Sequence, residues 1–266
     1  MRYGVFDSGL GGLSAVKEIA KCLPLEDVVY FGDTGRVPYG TRSKNTIIKY
    51  ALQDARFLMK YQPKAILVAC GTVSSVAMPA LAEQFEGTVI GVVEPAVKAA
   101  LAATKKHRIA VLGTPATIRS GSYTGLLTAA DERVRVKGIP CPLFVPLVEN
   151  GHIDPLDPIV RATVAHYLQE AIDFGADTII LGCTHYPLLR EAIGAYVGDK
   201  VCLIDAAAEA ARCLKEVLLK NDILHTDGGK QQFFVSDAPE NFADTAKIFL
   251  GRDIEEAVEE IDIEKY

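Results

Sequence analysis

No stretch of the sequence reaches the roughly 18 consecutive apolar residues that a membrane-spanning helix requires, so no membrane association is expected. The opening residues, Met1-Arg2-Tyr3-Gly4-Val5-Phe6-Asp7, turn polar too early for a secretory signal. A cytoplasmic setting is therefore expected. Basic charge is in deficit, with 28 Lys and Arg against 34 Asp and Glu and a net charge of −6. Both signs are interspersed, and no basic stripe offers itself to nucleic acid. The six cysteines (Cys22, Cys70, Cys141, Cys183, Cys202, Cys213) contain no CxxC pair. In a reducing compartment they are expected to be free thiols, most of them small buried residues. Cys183-Thr184-His185 is too short a cluster for zinc, and no second ligand pair accompanies it, so no metal is expected.

What is present is an apolar, evenly patterned chain. Of its 266 residues 49% are hydrophobic, enough for a substantial core. Short β-branched runs alternate with helical stretches. Strands are predicted at 3–6, 28–31, 65–69, 88–93, 109–112, 133–137, 178–181, 201–204 and 233–236. Helices are predicted at 13–22, 44–61, 74–84, 116–127, 157–174, 187–196, 206–220 and 240–250, with Ser43 as a cap. This βαβα order with continuous apolar strands indicates an α/β fold of mainly parallel sheets, covered by helices on both faces.

The order occurs twice. Tyr3-Gly4-Val5-Phe6-Asp7-Ser8-Gly9 and Ile109-Ala110-Val111-Leu112-Gly113-Thr114-Pro115 are each a strand, a small-residue turn and a helix start. A second matched pair follows each: Ala65-Ile66-Leu67-Val68-Ala69-Cys70-Gly71-Thr72 and Thr178-Ile179-Ile180-Leu181-Gly182-Cys183-Thr184-His185. Any two α/β units share strands and helices. They do not ordinarily share a cysteine closely followed by threonine at corresponding strand ends. Two related α/β halves are the reading adopted.

In open parallel sheets, ligands bind beyond the carboxyl ends of the strands. Asp7, Asp33, Cys70, Glu149 and Cys183 are all read as falling just after strands. Two cysteines at equivalent points of facing halves form an approximate mirror pair, which is what racemisation needs. One group removes an α-proton from one face, and the other returns a proton to the opposite face. A free thiol titrates near ~8.5, so one member must be thiolate while the other stays thiol. Asp7 and His185 are candidate assistants, one in each half, and Glu149 a candidate to fix the His185 tautomer. Taken singly, each has a plainer reading: a packed thiol, a surface histidine, an Asp-Ser-Gly turn, a loop charge. Gly9-Leu10-Gly11-Gly12 is similar to a dinucleotide loop, but Ser14 stands where the third glycine belongs. These glycines are expected instead to admit a small anion beside the helix N-terminus. A Cys–His nucleophile for acyl transfer would leave Cys70 without a role.

The residues resemble the glutamate racemases of the aspartate/glutamate racemase superfamily. The resemblance runs over nearly the whole chain. It is strongest in Phe6-Asp7-Ser8-Gly9-Leu10-Gly11-Gly12, Gly32-Asp33-Thr34-Gly35-Arg36-Val37-Pro38-Tyr39-Gly40 and Leu181-Gly182-Cys183-Thr184-His185-Tyr186-Pro187-Leu188-Leu189. Pro146-Leu147-Val148-Glu149 and Phe249-Leu250-Gly251 also fit. The resemblance implies two similar domains related by pseudo-twofold symmetry, with the active site between them. The first would comprise residues 1–95 with 209–266, the second residues 96–208. It implies interconversion of L- and D-glutamate without cofactor or metal, supplying D-glutamate for bacterial peptidoglycan. Cys70 and Cys183 would be the acid/base thiols, supported by Asp7, Glu149 and His185. Asp7, Ser8, Pro38, Tyr39, Gly40, Gly71, Thr72, Thr114, Thr117, Thr184 and His185 would line the substrate site. The family pattern after the first cysteine is commonly Cys-Asn-Thr, whereas this chain has Cys70-Gly71-Thr72. A backbone N–H, a water or a neighbour would then take over the hydrogen bond of the missing amide. A homodimer is expected, as for most soluble oligomers.

Alternatives carry different demands. An aspartate racemase would use the same thiols on a shorter side chain. A one-cysteine decarboxylase of the same superfamily would need only one thiol. A two-lobed small-molecule sensor would need neither.

Overall fold

The computed structural model describes residues 2–224, 228–254 and 257–266. The first half begins with β1 (Tyr3–Asp7), α1 (Leu13–Cys22), β2 (Val28–Gly32), α2 (Lys44–Met59), β3 (Ala65–Val68), α3 (Gly71–Val76), α4 (Met78–Gln84) and β4 (Thr88–Gly91). The helix α5 (Val93–Ala103) leads into β5 (Arg108–Gly113), α6 (Pro115–Ser120), α7 (Ser122–Ala130), β6 (Arg135–Pro140) and α8 (Phe144–Glu149). Then come α9 (Pro158–Phe174), β7 (Thr178–Leu181), α10 (Arg190–Val197), β8 (Cys202–Asp205), α11 (Ala206–Lys220), β9 (Gln231–Val235), α12 (Pro239–Leu250) and β10 (Val258–Glu260).

The strands form two parallel sheets. One has the order β10-β9-β2-β1-β3-β4, the other β6-β5-β7-β8. The inner order β2-β1-β3-β4 and the order β6-β5-β7-β8 are the same pattern, which gives the sequence repeat its structural form. In each sheet the chain reverses direction around its first strand, β1 or β5. The switch point so created opens a crevice at the carboxyl ends of the strands.

Burial on both faces explains why the strands read as unbroken apolar runs: every residue of β1, β2, β3 and β7 is buried. Pleating sends Val5 and Tyr30 to one face of the larger sheet and Phe6 and Phe31 to the other. The Val5 face joins α1, α11, α12 and α5 in a core that continues into the smaller sheet. The Phe6 face packs against α2, with Phe57 tilted against Phe31 and edge-on to Phe234.

Local chemistry sets the element ends. Ser43 caps α2 by accepting from the Thr46 N–H, and Asp205 caps α11 through Ala207 and Ala208. Gly175, at φ +73, terminates α9 in the left-handed conformation. Two predicted helices are each divided. Residues 71–84 form α3 and α4, with a break at Ala77 before Pro79, which lacks the N–H needed to continue the earlier turn. Residues 115–130 divide at Gly121, at φ +71. The helices α5 and α8 and the strand β10 were not anticipated. Glu149 differs from expectation as well: it is the last residue of α8 and does not follow a strand.

Candidate active site

A cavity of about 340 Å³ lies between the carboxyl ends of the two sheets. A larger open groove, about 640 Å³, runs along α2 past Asn45, Lys49 and Arg56 and contains none of the cysteines. The chemistry is concentrated in the smaller space. Asp7, Ser8, Pro38, Tyr39, Gly40, Cys70, Gly71 and Thr72 reach it from one half, and Thr114, Glu149, Cys183, Thr184 and His185 from the other.

The two thiols arrive by equivalent routes. Cys70 follows β3 after one residue, Ala69, and Cys183 follows β7 after Gly182. Both are buried. Their companions differ. Cys70 Sγ lies 3.5 Å from Ser8 Oγ. Burial, reinforced by the nearby Asp7 carboxylate, pushes its thiol up to about 12. Cys183 Sγ lies 3.9 Å from His185 Nδ1, and His185 Nε2 lies 2.9 Å from Glu149 Oε1. Burial opposes charge on the imidazole, but hydrogen bonds to Cys183 and Glu149 outweigh it and raise His185 to about 10. The Cys183 side is therefore built around an imidazolium, the Cys70 side around a carboxylate.

Asp7 ends β1. Its Oδ2 accepts the Gly9 N–H at 3.0 Å, while Oδ1 is buried with no protein hydrogen-bond partner. Burial raises its carboxyl above the ordinary range, against the opposing pull of His185. An acceptor so deeply buried costs free energy until a ligand donates to it.

The halves meet closely around the cavity. Thr72 Oγ1 and Thr114 Oγ1 are 2.9 Å apart. A β-carbon on Gly40 would meet Thr114 Cβ at 2.8 Å, and one on Gly11 would meet Thr184 Oγ1 at 2.1 Å and His185 Cε1 at 2.5 Å. The glycines expected to admit an anion thus admit protein instead: Gly11 lets the β1–α1 turn abut the Thr184-His185 segment. Gly71 behaves alike, and its β-carbon would lie 2.2 Å from the Gly182 carbonyl oxygen.

Two expected wall residues contribute differently. Thr117 is buried behind Thr114, bonded to it at 3.0 Å, and does not reach the cavity. Tyr39 borders the cavity, but its hydroxyl donates to Asp33 and lies 3.1 Å from Asp54 Oδ2. Cys141 lines the cavity and was not foreseen as a site residue. Its signal was present: β6 extends to Pro140, so Cys141 follows a strand as the other two thiols do. The predicted strand stopped at 137 and concealed this. Among the described residues, no cluster of three or more His, Cys, Asp or Glu is arranged to hold a metal ion.

Residues 14–214 match the family described as Asp/Glu/hydantoin racemase. The glutamate racemase of Geobacter metallireducens is 44% identical over 93% of this chain and 92% of its own. A crystal structure of the glutamate racemase of Francisella tularensis in complex with D-glutamate superposes with a TM-score of 0.92 at 36% identity, covering 100% of this chain and 98% of that one. That of Thermus thermophilus, in complex with β-chloro-D-alanine, gives 0.90 at 41% identity with the same coverage.

Proposed function

The chain belongs to the Asp/Glu/hydantoin racemase family, and on that premise we propose that it interconverts L- and D-glutamate by proton transfer between Cys70 and Cys183. The observation that carries this reading is the pair of thiols at equivalent strand ends of two sheets, lining one cavity with unlike acid–base companions. Relatives named glutamate racemase span almost the full chain and lend the substrate.

The mechanism follows from the asymmetry. The His185 ring lies against the Cys183 sulfur, and burial beside Asp7 favours thiol at Cys70, so Cys183 is assigned as the base that acts first. The Cys183 thiolate takes the α-proton from one face, leaving its electron pair on the α-carbon. The Cys70 thiol delivers its proton to the opposite face. The enzyme then carries a thiol at 183 and a thiolate at 70, the form that runs the reverse reaction. Ser8, Thr72 and Thr184 supply hydroxyls around the cavity for the substrate carboxylates. Glu149 holds the His185 ring, and its bond to Nε2 directs Nδ1 to the sulfur.

The proposed domain division is residues 1–95 with 209–266, and 96–208. It is supported by strand membership: β1–β4, β9 and β10 form one sheet, β5–β8 the other. The proposed role of the product is D-glutamate supply for the bacterial cell wall, in the cytoplasm, and six free cysteines suit such a reducing setting.

The test is circular dichroism of the purified protein with L-glutamate in deuterated buffer and no added cofactor, followed by proton NMR. Decay of the optical signal with deuterium entering the α-position is expected. Turnover of aspartate but not glutamate would overturn the substrate assignment. Inactivity with both would overturn the racemase reading.

A further inference from the structure

The Pro38–Gly40 wall of the cavity is held from behind by a buried polar cluster that the reaction itself does not use. Arg36 is its centre. Its Nε donates to Asp33 Oδ2 at 2.6 Å, Nη2 to Asp54 Oδ1 at 3.0 Å, and Nη1 to Gln53 Oε1 at 2.7 Å and Glu264 Oε1 at 3.2 Å. The guanidinium lies 4.0 Å from the centre of the Tyr50 ring, which packs in turn on the Tyr39 ring at 5.3 Å. Asp33 and Asp54 are wholly buried, and both engage the Tyr39 hydroxyl.

The cluster joins three separate parts of the chain. Asp33 and Arg36 belong to the β2–α2 connection, which continues into the wall. Gln53 and Asp54 lie on α2. Glu264 lies in the short turn after β10. The same connection is stitched to the segment after β9: Ser236 Oγ donates to Asp33 Oδ1 at 2.7 Å, and the Gly35 N–H donates to Ser236 Oγ at 2.8 Å. Two carboxyl groups buried around one guanidinium are expensive unless every partner is present. A phenol hydroxyl bracketed by both carboxyl groups has little freedom to move. The wall is thereby fixed by residues that do not touch the cavity.

We propose that Arg36 is a positioning residue for substrate binding: with Asp33, Asp54 and Glu264 it fixes Tyr39, and through Tyr39 the Pro38–Gly40 wall. The proposal rests on the racemase reading for its kinetic readout, but not for its structural one. A lysine cannot reproduce such a fork, because an ammonium has no planar set of donors. Arg36→Lys should therefore fail to restore what Arg36→Ala loses, and Glu264→Gln, which keeps an acceptor on the exposed side, should be mild.

The experiment compares wild type with Arg36→Ala, Arg36→Lys, Glu264→Gln and Tyr39→Phe, at a temperature where each is folded by circular dichroism. Two quantities are measured. One is KM and kcat for glutamate in both directions. The other is amide hydrogen exchange of residues 33–42 without substrate. For the two Arg36 variants and Tyr39→Phe, the expected result is faster exchange confined to that segment and a KM raised roughly ten-fold, with kcat changed less. Unchanged exchange there in Arg36→Ala, or an equal loss of kcat with KM unaltered, would overturn the positioning role. A wild type that does not turn over glutamate would overturn the racemase reading instead, while the exchange measurement would still decide the role of Arg36. Should Arg36→Ala not fold, Arg36→Lys and Tyr39→Phe carry both measurements.

Discussion

Gly71 and Gly182 face one another so closely that a β-carbon on Gly71 would stand 2.2 Å from the Gly182 carbonyl oxygen. The contact joins the turn carrying Cys70 to the turn carrying Cys183. Backbone cannot yield there as a flexible side chain would. Gly71→Ala should therefore force the two strand ends apart, at a cost of about 1–3 kcal/mol typical of overpacking. A melting temperature lower by several degrees and a reduced kcat/KM are expected from thermal unfolding and kinetics. Gly71→Asn, which installs the side chain common in the family, should be no better tolerated. An asparagine variant with wild-type stability and higher affinity would show that the halves open freely at this point.

The two thiols should be separately indispensable for racemisation. Cys70→Ser and Cys183→Ser are each expected to lose at least roughly 10²-fold in racemisation rate, the usual scale of general acid–base catalysis. Each should retain one-sided exchange of the α-hydrogen, or elimination from a suitable analogue, because one base remains. Deuterium incorporation by NMR, read against optical rotation, separates the two outcomes. Undiminished racemisation in both variants would remove the two-thiol mechanism.

Alkylation should distinguish the thiols. Burial next to Asp7 holds Cys70 up at about 12, whereas the Cys183 sulfur has the His185 ring 3.9 Å away. Iodoacetamide near neutral pH, followed by peptide mass spectrometry, should label Cys183 before Cys70. Glu149→Gln should slow that labelling, since it removes the negative charge that helps keep His185 protonated. Faster labelling of Cys70 would reverse the assignment of the resting thiolate.

His185 also makes stability depend on pH. Its folded value, about 10, lies above its ordinary 6.5. A group raised in this way contributes stability that is fully present below its unfolded value and is lost as pH rises through the folded value. The contribution should thus be complete below about pH 6.5 and decline towards pH 10. Denaturant titrations across that window should show a shallower decline in Glu149→Gln than in wild type. Identical slopes would mean that Glu149 does not hold the charge on His185.

Much of the site was legible because its residues sit at ends of unmistakable strands. Cys70 and Cys183 follow the apolar runs Ala65–Val68 and Thr178–Leu181, and a parallel sheet buried on both faces requires such runs. Glu149 was misread because a six-residue helix, α8, carries too short a pattern to recognise. Cys141 escaped because β6, with Arg135, Lys137 and Gly138 in it, is too polar for its end to be found by hydropathy. Thr117, which the resemblance placed in the substrate site with Thr114, is carried behind its neighbour by the helical turn of α6.

The amino-acid sequence by itself determined the α/β class, the repeat and the two matched cysteines, because these depend on local periodicity and on residues next to strand ends. The tertiary structure decided the rest. Only the folding of each half brings the Asp7 turn to Cys70 and Glu149 to the His185 ring beside Cys183, and only where the halves meet does the bare backbone of Gly71 matter. Arg36 joins its neighbour Asp33 to Asp54 on α2 and to Glu264 near the end of the chain. Hydrogen bonds and burial depend on distance in space, which hydropathy along the chain does not encode.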